Sequence, residues 1–225
     1  MKKKIFGIIT TIAVVLFTGC VFGFLKKPES VKAEIQNKFI LMAKENANTP
    51  MSPEIIASSN PFDYVDSKYY EEIVSMGTKA IEPLEELLYS DEIDGVYKYV
   101  GAVALQDITG CDLSKITGVD WSNVEQFKEL WNITIQDMPE TFQKIQNNSK
   151  MSLEQKMLEI EKYGVFGKTY AKRIASGKFI FGGNKLQDVD DTTLKNKFKK
   201  FGENIGNEDS ELIIGYMQEK QNKTN

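Results

Sequence analysis

The sequence predicts an all-α fold behind an apolar N-terminal segment, and three observations carry that prediction. Ala80, Ile81, Leu84, Leu87 and Leu88 form an apolar stripe with the 3.6-residue period of a helix. Residues 96–109 are apolar almost all round and stop at Gly110, the residue type that closes helices in the left-handed conformation. Ser122 with Glu125, and Ser152 with Gln155, each place a hydroxyl three residues before Glu or Gln, the spacing of a capping box.

The N-terminus comes first in the chain and sets its location. Lys2, Lys3 and Lys4 precede 21 uncharged residues, 5–25, and Lys26-Lys27-Pro28 end the run. As a helix this segment covers about 31 Å, the thickness of a bilayer's hydrocarbon core. Two readings stay open. Leu16-Phe17-Thr18-Gly19-Cys20 resembles a lipobox, with Cys20 as the lipidation site; Phe17 stands where Leu is usual, and Val21-Phe22-Gly23-Phe24-Leu25 stays apolar after the Cys. Residues 5–25 equally suit an uncleaved single-pass anchor with its N-terminus inside. Release after cleavage is a third course. In both tethered readings the main domain is expected on the outer face of the cytoplasmic membrane.

Beyond the anchor, residues 30–46 read as a helix with Val31, Ile35, Phe39 and Met42 on one face, placed to act as a stalk. Pro50, Pro53 and Pro61 mark residues 48–61 as a loop. Four parts follow from this: 1–27 as signal or anchor, 28–61 as a juxtamembrane helix and loop, 62–217 as the helical domain, and 218–225 as a polar, frayed tail. Within the domain, a helix carrying Ile73 and Met76 ends at Gly77. The 80–88 helix follows, then a polar turn at 91–95 and the apolar 96–109 helix, which is expected at the centre of the core. Val124, Phe127, Leu130, Trp131, Ile135 and Met138 stripe the next helix, which Pro139 should kink or end. Later helices are expected from Leu153, from a cap at Asp191, and at 212–217.

Gly77-Thr78-Lys79-Ala80-Ile81-Glu82-Pro83-Leu84-Glu85-Glu86-Leu87-Leu88, a short acidic turn, residues 96–105 and Ile108-Thr109-Gly110 together resemble one HEAT-like helical repeat. Tyr97 stands where that family often has Arg. The likeness covers 34 of the 225 residues and implies a compact helix pair, with no activity attached. At an offset of 87, Ile160, Tyr163, Gly164, Gly167, Ile174 and Ala175 line up with Ile73, Met76, Gly77, Ala80, Leu87 and Leu88, a faint second copy in which Lys168 falls opposite Ile81. The wider expectation is an envelope protein of a low-G+C Gram-positive bacterium, since Lys, Asn and Ile are plentiful and Arg is scarce.

Composition narrows the chemistry. The chain has no His, which removes imidazole acid–base catalysis, Ser-His and Cys-His pairs and imidazole zinc sites. Arg173 is the sole Arg among 28 basic residues, so bidentate phosphate clamps are nearly unavailable. Residues 1–27 take five Lys, leaving 23 basic and 32 acidic residues and a net charge of −9 beyond them. Such a domain repels nucleic acid and anionic lipid. With Cys20 in the membrane or lipidated, Cys111 has no disulfide partner and reads as a buried small hydrophobe.

No catalytic, cofactor or metal residue is assigned. The runs Glu71-Glu72, Glu82 with Glu85-Glu86, and Asp188 with Asp190-Asp191 read as solvated faces and helix caps. Gly167-Lys168-Thr169 matches the end of a P-loop, but Lys162 occupies the place of its first Gly, and the segment reads as a helix-connecting turn. Aromatics remain: Phe62, Tyr64, Tyr97 and Trp121 are the candidate interaction surface. The expected function is a non-enzymatic interaction module engaging an unknown envelope protein. The alternative is a cell-envelope hydrolase working through two carboxylates that converge in one cleft.

Overall fold

In a computed structural model the described residues are 30–48, 65–93, 95–176 and 192–222, and all their regular structure is helical. Phe62, Tyr64, Cys20 and the apolar segment 5–25 lie outside them, as does Asp191. No helix among the described residues is long and apolar enough to cross a membrane.

The first cluster of helices grows from the stripes read above. α1 (Val31–Asn48) buries Ile35, Phe39 and Met42 against α2 (Lys68–Ser75) and α3 (Ile81–Tyr89). It is therefore packed into the core and does not stand free as a stalk. The Ser67 hydroxyl caps α2 by accepting from the Tyr70 amide at 3.1 Å. Gly77, at φ +61°, then turns the chain through a 3-10 segment, Gly77–Ala80, into α3. Leu84, Leu87 and Leu88 are fully buried there, each contributing about 1.5–3 kcal/mol by leaving water. α4 (Gly95–Thr109) supplies Val100 to Leu105 to the same interior, and Gly101 brings its backbone against Leu84, Leu88 and Phe39. Gly110, at φ +63°, ends α4 as expected, its amide donating to Gln106 O at 2.7 Å. Cys111 is buried behind this turn.

The connecting part departs from expectation twice. After the short α5 (Leu113–Thr117), α6 (Val124–Asn147) is capped by Asn123, not Ser122. Asn123 Oδ1 accepts from the Gln126 amide at 2.9 Å, and Gln126 Oε1 accepts from the Ser122 amide at 2.9 Å. The Asn123 amide oxygen does the work assigned to the hydroxyl, and the Gln126 side chain reaches back to Ser122, one residue before the cap, so no reciprocal box closes. Pro139 does not end α6. Interior proline costs roughly 3 kcal/mol, but Trp131, Ile135 and Met138 before it and Phe142 after it are all buried and keep both halves helical.

The second cluster starts with α7 (Leu153–Glu161), whose Ser152–Gln155 capping box forms as read. Gly164, at φ +54°, opens α8 (Gly164–Ala175), so the helix–glycine–helix geometry around Gly77 recurs at the offset of 87. The turns at Gly110 and Gly164 connect the clusters: Gly164 lies against the backbone of Thr109 and Gly110, and the Asp112 amide donates to Lys162 O at 3.2 Å. α9 (Thr192–Gly202) packs closely on α8, with Gly202 against the Lys172 backbone.

α10 (Asn207–Asn222) closes the molecule and extends past the expected 212–217 into the segment read as a frayed tail. Its start touches the Gly77–Ala80 turn, where Thr78 Oγ1 donates to Asp209 Oδ1. Arg173 donates to both Glu211 carboxylate oxygens, at 2.9 and 3.1 Å. At its end, Lys220 forms an ion pair with Glu85, which is only 4 % exposed. Glu85 was placed on a solvated face; α10 covers that face and supplies the counter-charge. Lys220→Met leaves this carboxylate buried without its counter-charge, with the Tyr216 hydroxyl beside it, and is expected to cost about 3 kcal/mol in urea denaturation. Adding Glu85→Gln should recover part of the loss.

Candidate interaction surface

Tyr97 and Trp121, the two described members of the predicted aromatic surface, serve different parts of the structure. Both are half-buried. Trp121 sits in the turn before α6 between Tyr99, with ring centroids 4.6 Å apart, and Phe127, at 4.9 Å. It begins a run of rings that continues through Trp131, Phe166 and Tyr216 into the core. Trp121 is thus an edge of the interior. Tyr97 lies two residues from Tyr99 on α4, about 200° around the helix, and contacts Phe39 with centroids 5.8 Å apart.

Tyr97 also lines an open groove of about 390 Å³ between α1 and the start of α4. The α1 wall consists of Ala33, Gln36, Asn37, Ile40 and Ala43, spaced to share one face of the helix. Phe39, Ile93 and Tyr97 complete the apolar part. Ile40 is 50 % exposed, and Leu41 beside it is also exposed. One rim is polar and fixed. Lys32 Nζ donates to Glu92 Oε1 at 2.8 Å and lies 3.3 Å from Glu86, while Gln36 Nε2 donates to Glu92 Oε2 at 2.6 Å. The Lys32 ammonium holds the Glu92 carboxyl below the usual carboxylate range, and Glu92 in turn raises Lys32. Of the residues predicted for a surface, Tyr97 lines this groove; Ile40, which also lines it, was not among them. The available signal was that Ile40 and Leu41 fall off the Val31–Ile35–Phe39–Met42 stripe and so are not consumed by the core.

No family model matches this chain, and no curated protein or solved structure matches it either. The groove's chemistry therefore follows from its own geometry: small and apolar side chains below, a charged network along one edge.

The acidic residues take other roles. Glu85 is paired with Lys220, Glu86 approaches Lys32, and Glu72 pairs with Lys38. Glu154 and Glu161 do line one groove, on α7. They are seven residues apart on one helix, about 10.5 Å along its axis. Lys197 holds Glu154 below the ordinary carboxyl range, the reverse of what a general acid needs. Among the described residues no group of three or more His, Cys, Asp or Glu side chains is placed to hold a metal ion. Asp188, Asp190 and Asp191 lie outside them.

The P-loop fragment is not the expected helix-connecting turn but part of a helix crossing. Gly167 lies inside α8, and a Cβ there would stand 2.2 Å from Ile160 O, so glycine is needed for α7 and α8 to approach. Thr169 is fully buried. Burial pushes the Cys111 thiol up to about 12, with Asp112 adding to the shift, so it is a core residue without thiolate chemistry at neutral pH.

Proposed function

We propose that this chain is a membrane-tethered extracytoplasmic protein whose HEAT-like helical domain is a non-enzymatic interaction module. The observation that carries the reading is the groove between α1 and α4, with its apolar floor, half-exposed Ile40 and fixed polar rim. This is the arrangement that receives the apolar face of a short helix. The location rests on residues 2–27: a basic start, 21 uncharged residues and a second pair of lysines. In the anchored reading residues 26–30 extend at most about 18 Å, and in the lipidated reading residues 21–30 extend at most about 36 Å, so α1 starts within that reach of the membrane surface. Ile40 lies about 14 Å further along it. The partner that fits is a juxtamembrane helix of another envelope protein.

A photo-reactive amino acid at Ile40, in the full chain in intact cells, is expected to give adducts with one other membrane protein. The same group at exposed Leu212 on α10 should give none of that adduct. Adducts only with the chain itself, or equal labelling from both positions, count against the module. Mass spectrometry of the extracted chain decides the attachment: a diacylglyceryl group on Cys20 eliminates the single-pass anchor.

A further inference from the structure

A second groove, of about 570 Å³, runs between α7 and α9 on surface not used above. Its apolar part is Met157, Leu158 and Phe201. Leu158 is 60 % exposed, the most exposed large hydrophobic side chain among the described residues. The two walls differ in sign. α7 contributes Glu154 and Glu161, and α9 contributes Lys197 and Lys200. Glu154 and Lys197 are joined across the groove at 2.6 Å. Glu161 and Lys200 are exposed, and no ion pair joins either to another described residue.

The walls restrict what can fill the groove. An anionic ligand meets Glu161, a cationic one meets Lys200, and an uncharged helix would cover Leu158 while leaving both charges without partners. A surface with an acid on one wall and a cation on the other is complementary to itself after a two-fold rotation, the condition for an isologous contact. We propose that the α7–α9 groove is a self-association surface that takes a second copy of this chain, Leu158 against Leu158 of the partner subunit, with Glu161 of each copy facing Lys200 of the other. A shared tether to one membrane would raise the effective concentration of the two surfaces. The contact itself does not depend on that tether or on the α1–α4 groove.

The test uses the full chain in isolated membranes. Leu158→Cys, treated with a mild oxidant, is expected to give a disulfide-linked dimer at least tenfold more abundant than Ile133→Cys, a change at an exposed α6 position. Cys111 is buried and Cys20 is common to both variants, so neither accounts for a difference. Lys200→Glu on the Leu158→Cys background should lower the dimer several-fold by setting two acids against each other, and Glu161→Lys added to it should restore the yield. Equal crosslinking from Leu158→Cys and Ile133→Cys overturns the proposal. So does failure of the charge exchange to restore the dimer while circular dichroism shows unchanged helix content.

Discussion

Gly164→Ala should destabilise the protein by at least about 4 kcal/mol, a loss reserved for backbone conflicts that side-chain movement cannot relieve. Two effects combine. At φ +54° an L-residue bears the left-handed penalty of about 1–2 kcal/mol. The new Cβ would also stand 2.0 Å from Thr109 O and 2.5 Å from Gly110 C, both backbone atoms of the turn that ends α4. Relief requires the two helix clusters to separate. Gly77→Ala is the control, because Gly77 has φ +61° but nothing within 4 Å of the added carbon. It should lose only the 1–2 kcal/mol of strain. Urea denaturation of the two variants reads the difference directly. Equal losses would mean that the contact between Gly164 and the α4 turn carries no energy.

Trp131→Ala is the second large expected effect, about 3–5 kcal/mol. The indole is fully buried, stacked on Phe127 at 5.6 Å and edge-on to Phe166 at 6.0 Å. Its Nε1 donates to Tyr216 OH at 3.1 Å, tying α6 to the last helix. Burial, with the Glu85 charge nearby, pushes the Tyr216 phenol well above its ordinary value, so it stays a neutral hydroxyl there. Trp131→Phe keeps the ring contacts and removes the donor, at an expected cost of about 1 kcal/mol for the hydrogen bond plus the loss of volume. In a cycle with Tyr216→Phe the two changes should be less than additive. Strict additivity would show that this hydrogen bond contributes nothing to the attachment of α10.

The aromatic candidates show how far residue identity goes. By residue type Tyr97 and Trp121 belong together, as large rings with a polar atom near the helix pair. Helical phase on α4 separates Tyr97, which faces Phe39 and the groove, from Tyr99, on which Trp121 packs in the ring run that includes Phe127. The groove also needs Ile93 and Ile40, which come from segments distant in sequence. No local pattern announces that such residues will share a surface.

What the sequence determined by itself is what short-range physics governs. The stripe at 80–88, the left-handed stop at Gly110, the capping box at Ser152 and the glycine turn at 77 depend on neighbours within about four residues, and each formed as read. The tertiary structure alone decided three other points. α6 runs through Pro139 because burial on both sides of it outweighs a local penalty. α1 lies in the core because α2 and α3 offer its stripe a surface. Glu85 is buried because α10, more than 120 residues later, brings Lys220 to it. A helix's period shows which side chains share a face, but whether that face meets water or another helix depends on contacts between residues far apart in the chain.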